Sequence, residues 1–309
     1  MPTLLSRLLT AAALLLSSWA AAQISSPPTD LARTLRAGLS PAGTTLTLGS
    51  ARAELALLDG LLWRLEYHGP AGDTATAARV LAVASGYADA QADVQAYLER
   101  ARATLIGKGP QIIGLSASFD LMIDWNDELG FTLALRAYPD VGGDRHLLGR
   151  AGPVIREFSD FECPYCRQLY REVLPSVKRE LIDSGLARFS YRQLPLTSIH
   201  PRALPLALGS ECAARQGQFF AFHDLAFERG AQASAQELAR SLQLEESAFS
   251  RCLEDPQVAA VVRADLEAAE RLRLEGTPSV FVGPFLLPDP YDTAAYGRFV
   301  RMAGAFERR

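Results

Sequence analysis

The sequence predicts an α/β domain whose helices cover a central sheet, preceded by a small α+β domain. Three observations carry this. Beyond residue 153 the pattern reads strand–helix–strand, a helical block, then strand–strand–helix. Upstream, two pairs of alternating apolar runs flank a long stripe of helical period. Between them lies "PDVGGDRHLLGRAG" (139–152), dense in glycine and opened by proline, which reads as a linker. The 309 residues are enough for two domains of ordinary size.

The start, "MPTLLSRLLTAAALLLSSWAAAQ", has Arg7, an apolar run from Leu8 to Leu16 and small residues at Ala20 and Ala22. This is the build of a secretory signal over residues 1–22, with the mature chain beginning near Gln23. The alternative is a retained membrane anchor, for which the apolar run is short against the ~20 residues a spanning helix needs. The expected location is therefore exported, periplasmic or otherwise extracytoplasmic.

Residues 23–138 form the predicted α+β domain, for which the sequence suggests no role. Asp30 is placed to cap a short helix over "LARTLRAG". In "RAELALLDGLLWRLEY", Ala53, Leu55 and Leu57 alternate before Asp59-Gly60, and Leu61, Trp63, Leu65 and Tyr67 after it. Asp-Gly between alternating runs signals a hairpin, because both turn residues take positive φ. From Thr74 to Leu105, Val80, Ala84, Tyr87, Val94, Leu98, Ala101 and Leu105 step by threes and fours, an amphipathic helix that Gly86 bends or splits. A second hairpin follows, with Phe119, Leu121, Ile123 and Trp125 running into Asn126-Asp127, and Phe131, Leu133 and Leu135 running out. Residues 153–309 make the second domain: a strand over Val154–Phe158, a helix over Pro164–Ser184 and a strand over Ala187–Leu194. Helices fill about 200–274, then come "PSVFVG", a short strand and a helix over Thr293–Ala305.

Hydrophobic content of 49%, charged content of 21% and a net charge of -4 describe a globular chain with no long basic block, so nucleic acid is a poor partner. The chemistry concentrates in "FECPYC", with Cys163 where a strand ends and a helix begins. There the unpaired N–H groups and positive helix end favour a thiolate. Pro164 suits the first helical turn, where its missing N–H costs nothing. Cys166 lies one turn further in, on the same face and more shielded. The geometry makes Cys163 the attacking nucleophile and Cys166 the resolving thiol. Zinc would need two more ligands, and His68, His146, His200 and His223 show no ligand-pair spacing. A purely bracing disulfide would close too short a loop to constrain much.

"EFSDFECPYC" resembles the active-site strand and helix of the thioredoxin superfamily, specifically its DsbA-like branch of exported thiol–disulfide oxidoreductases. "GTPSVFVG" (Gly276–Gly283) is similar to that family's threonine–cis-proline loop, here Thr277-Pro278. "ECAARQGQFFAFHDLAF" (Glu211–Phe227) looks like the branch's helical insertion, and Pro175 stands where a kinking proline is common. The resemblance implies a thioredoxin-like fold with a helical insertion, no cofactor, and dithiol–disulfide exchange with protein substrates, disulfide formation first. The alternatives are an isomerase or reductase, with the first domain serving dimerisation or peptide binding, and a non-catalytic binding or chaperone module. Implied partners are unfolded or cysteine-containing exported proteins and a membrane or soluble redox partner, with a homodimer as an option.

By position, Pro278 lies against the Cys163–Cys166 pair, rather than opening a strand in trans. Glu157 is either the family's buried acid below the disulfide or a carboxylate at a strand edge. Tyr165 replaces the histidine of the best-known DsbA pattern. It cannot add positive charge, so a less depressed Cys163 pKa and a less oxidising couple are expected. Cys212 and Cys252 are expected to form a structural disulfide, the alternative being two buried thiols.

Overall fold

The computed structural model describes residues 23–230 and 232–309, and every count below refers to these. The predicted signal segment lies outside them. The chain divides into two compact units, one ending at Ala137 and joined by 305–309, the other spanning Tyr138–Gly304.

In the first unit, α1 (Pro28–Leu35) opens with Pro28 at its first turn and no side-chain cap. The expected Asp30 cap is not made. The prolines at 27 and 28 start the helix earlier, proline's fixed φ suiting that turn, so Asp30 falls inside it and pairs with Arg33 at 3.2 Å. Then come β1 (Gly38–Leu39), β2 (Thr45–Leu48), β3 (Ala51–Leu58) and β4 (Leu61–Pro70). The β3–β4 turn has φ of 50° at Asp59 and 74° at Gly60, as the Asp-Gly signal requires. The long helical stripe is two helices, α2 (Thr74–Ala84) and α3 (Gln91–Leu105), parted at Gly86, whose φ is 86°. Strands β5 (Gln111–Ile113), β6 (Phe119–Trp125) and β7 (Glu128–Leu135) complete an antiparallel sheet in the order β1-β2-β3-β4-β7-β6-β5. One face is apolar: Leu65 pairs with Leu133, and Tyr67 stacks on Phe131 at 4.9 Å. Helices α2 and α3 pack on β4, β6 and β7, so helical and strand periods share one core.

The second unit's sheet runs β12-β11-β9-β10-β8, built from β8 (Leu147–Leu148), β9 (Val154–Ser159), β10 (Arg188–Gln193), β11 (Ser279–Val282) and β12 (Phe285–Leu286). Only β9 and β10 are parallel. They are joined by α4 (Pro164–Glu172), α5 (Leu174–Val177) and a π turn over Lys178–Ile182. The break between α4 and α5 falls at Val173, and Pro175 sits in the first turn of the new segment. Proline lacks the N–H that a continuous helix would need there. Helices α6 (Ala203–Ala214), α7 (Phe219–Arg229), α8 (Ala235–Ser241), α9 (Glu246–Leu253) and α10 (Pro256–Arg271) fill the span between β10 and β11, and α11 (Thr293–Glu307) follows β12. Cys212 on α6 and Cys252 on α9 are bridged, with Cα atoms 5.7 Å apart.

The expected linker at 139–152 is instead part of this unit. Leu147 and Leu148 pair with Ser190 and Phe189, forming β8. Arg145 joins Arg192 on the buried carboxylate of Asp265, and His146 Nε2 lies 2.9 Å from Glu211 Oε2. Glycine and proline density marked a break in regular structure, not a loss of contact. Arg145 and His146, inside the segment, find buried partners far along the chain.

Candidate active site

The loop into α4 is shaped before the cysteines begin. Asp160, itself buried, accepts from the Glu162 N–H through Oδ1 at 2.8 Å, and its carbonyl accepts from the Cys163 N–H at 3.1 Å. Its other carboxylate oxygen accepts from the Leu196 N–H and lies 2.8 Å from His200 Nδ1, so the segment after β10 is fixed beside the turn. Phe161 points into the core, stacking on Tyr191 of β10 at 4.9 Å and meeting Phe227 of α7 at 5.2 Å. One apolar side chain thus ties the turn to both the sheet and the helical block.

Cys163 is the N-cap of α4, with Pro164 at N1. Cys166 is one turn in and completely buried, whereas Cys163 keeps 4% exposure; both are free thiols. The Cys163 sulfur lies 3.5 Å from the carbonyl oxygen of Thr277, and the Thr277–Pro278 bond is cis. The sequence-predicted residues Cys163, Pro164, Cys166, Thr277 and Pro278 therefore meet at one place, where β9 ends and β11 begins. Tyr165 stands outward, 60% exposed.

The two sulfurs differ in their hold on a proton. The neighbouring Cys166 thiol, and with it Thr277 and the backbone of Cys166 and Tyr165, favours the thiolate and lowers the Cys163 pKa to about 6 against the opposing effect of burial. Burial is what pushes Cys166 well above its ordinary value, helped by Cys163 and the nearby Glu157 charge. One thiol is ready to attack at neutral pH, and the other holds its proton.

Glu157 is not at a strand edge. It lies in the middle of the sheet, in register with Tyr191 on β10 and Val280 on β11, and is 2% exposed with Oε1 unpartnered. Burial raises its pKa to about 7, with the nearby Ser159 hydroxyl acting in the opposite sense. The folded chain thus binds this proton more tightly than the unfolded one. The stabilisation is complete below about pH 4.5 and is lost as pH rises through about 7. Glu157→Gln is expected to remove that loss, which amounts to at most about 3 kcal/mol. Denaturant unfolding of the reduced protein from pH 4 to 9 measures it, and parallel wild-type and variant profiles would refute the assignment.

Four further residues reach this site without having been singled out from the sequence. Ser159 and Tyr191 lie with Glu157 around Cys166, and Asp160 shapes the turn. Tyr191 was within reach of strand alternation, being in register with Glu157. Tyr291, whose hydroxyl donates to the Tyr165 carbonyl at 3.0 Å, comes from 126 residues away and carried no local signal.

Among curated proteins, 168 residues of the chain are 36% identical to the Na(+)/H(+) antiporter NhaA 3 of Salinispora tropica, covering 53% of this chain and 25% of that protein. Over 149 residues it is 28% identical to the probable disulfide bond formation protein D of Bacillus anthracis, covering 44% of this chain and 68% of that protein. The chain spans about a quarter of the length of the antiporters it matches, and among the described residues no helix is long and apolar enough to cross a membrane. Among solved structures it is similar to oxidised BdbD of Bacillus subtilis, at 21% identity and a TM-score of 0.48, covering 54% of this chain and 97% of that one. A family model described as thioredoxin matches residues 144–300, just over half of the chain and all of the elements that build the cysteine site. The chain belongs to the thioredoxin family.

Proposed function

We propose that the chain is an exported thiol–disulfide oxidoreductase acting on cysteine-containing proteins, with disulfide formation as its main direction. The reading is carried by the inequality of the two thiols: Cys163 low at the start of a helix, Cys166 buried and high. In the oxidising direction a substrate thiolate attacks Cys163 of the Cys163–Cys166 disulfide, releasing Cys166 as the leaving thiolate. The second substrate thiol, as thiolate, then attacks the substrate sulfur of the mixed disulfide. Cys163 leaves as a thiolate, and two electrons now rest on the enzyme dithiol. A redox partner takes them up. The similarity to the probable disulfide bond formation protein D of Bacillus anthracis supports this direction.

The isomerase or reductase direction uses the same atoms, with reduced Cys163 attacking a substrate disulfide. A Cys163 pKa of about 6 and the presence of a tyrosine rather than a basic residue at 165 favour giving this second reading a direct test. Cys166→Ser should accumulate protein adducts through Cys163 that dithiothreitol dissolves, whereas the double variant lacking both thiols should not. Absence of adducts would sink the exchange reading. Thiol trapping of the wild type in its own compartment assigns direction: an oxidised pair supports disulfide formation, a reduced pair isomerisation or reduction.

A further inference from the structure

The segment after β12, "PDPYD" (288–292), is pinned at several points. Asp289 Oδ1 accepts from the Tyr291 N–H at 2.8 Å, and the Tyr296 hydroxyl donates to the Pro290 carbonyl at 2.8 Å. Asp292 accepts from Ala294 and Ala295 at the start of α11 and pairs with Arg298. Tyr291 is held between these anchors, and its hydroxyl donates to the carbonyl oxygen of Tyr165, inside the C-P-Y-C turn. That carbonyl belongs to the peptide group joining Tyr165 to Cys166. The N–H of the same peptide group is the Cys166 N–H, one of the backbone groups at the start of α4 that favour the charged form of Cys163.

We propose that Tyr291 is a positioning residue for Cys163, acting through the Tyr165–Cys166 peptide group. Its O–H draws electron density toward the Tyr165 oxygen, leaving the Cys166 N–H a stronger donor to the thiolate. Hydrogen bonds in series polarise one another. Burial keeps the phenol protonated, and the nearby charges of Cys166, Cys163, Asp289 and Glu157 act in the same sense, so Tyr291 remains a donor throughout the range in which Cys163 ionises. Tyr165 thus matters through its backbone as well as its outward ring.

The inference rests on the thiol-exchange reading of Cys163, but its test does not require exchange activity. Tyr291→Phe keeps the ring and removes only the donor. A cooperative strengthening of about 10–30%, applied to a hydrogen bond to a charged group, corresponds to a rise of roughly 0.1–0.7 in the Cys163 pKa on its loss. Thiolate absorbance of the reduced protein reads this shift. Equilibration with a glutathione buffer should show the disulfide form favoured by up to roughly fivefold, the same shift expressed as a ratio. Tyr291→Leu, which removes ring and donor together, separates position from packing. A pKa that rises in Tyr291→Phe supports the proposal. An unchanged or lowered pKa in Tyr291→Phe overturns it, including the case in which only Tyr291→Leu shifts. A protein without exchange activity still gives these titrations, so failure of the proposed function and failure of this inference are told apart.

Discussion

Cys163→Ser is expected to lower the rate of disulfide exchange with a reduced, unfolded substrate by at least about a thousandfold, to the uncatalysed background. A hydroxyl at this place has neither the acidity nor the leaving ability of a thiol, and Cys166 cannot replace it. Cys166 is completely buried and holds its proton, whereas Cys163 is the sulfur beside Thr277 at the start of α4. Recovery of native disulfides in the substrate, followed over time with a glutathione redox buffer, gives the measurement. A variant that kept full activity would reduce the site to an incidental disulfide and leave a binding or chaperone module as the better reading. The substitution suits the fold, because Cys163 is the N-cap of α4, a position that serine favours.

The second large effect concerns stability. Removing the bridge between α6 and α9 with Cys212→Ala and Cys252→Ala is expected to cost about 3–4 kcal/mol, from the entropy released to the unfolded chain when a loop of this length opens. For a unit of this size that lowers Tm by roughly 6–16 °C. Differential scanning calorimetry of the double variant measures the loss. The bridge fastens α9, whose buried Phe249 stacks on the buried Phe222 of α7 at 6.5 Å, and Phe222 meets the Phe161 ring below the active-site turn at 6.3 Å. Activity per folded molecule should nevertheless persist, since neither Cys212 nor Cys252 reaches the Cys163 sulfur. A drop in Tm below about 2 °C would mean that the bridge constrains little.

The chain's local signals were legible where one short segment suffices. Asp59-Gly60 set a hairpin because both backbone positions take positive φ, and Gly86 parted two helices for the same reason. The strand-to-helix junction at Cys163 was readable from "SDFECPYC", and with it the different roles of two thiols one turn apart. The segment 139–152 was misread because composition reports backbone freedom, not contact. Its Arg145 and His146 are held by Asp265 and Glu211, which the sequence places far downstream. Asp30 makes no cap because Pro28, two residues before it, already begins the helix.

By itself the sequence determined which residues could do chemistry: a thiol pair at a helix start, and the Thr277-Pro278 loop that its resemblance to DsbA-like proteins matched to that pair. Those depend on spacing within a few residues, where covalent geometry restricts the outcome. Only the tertiary structure decided that Glu157 is a buried acid in the middle of the sheet, that Cys212 meets Cys252, and that Tyr291 reaches the Tyr165 carbonyl. Each of these needs elements brought together from distant parts of the chain. Such meetings are selected by the burial of whole faces against one another, an energy summed over the unit that no short stretch of sequence contains.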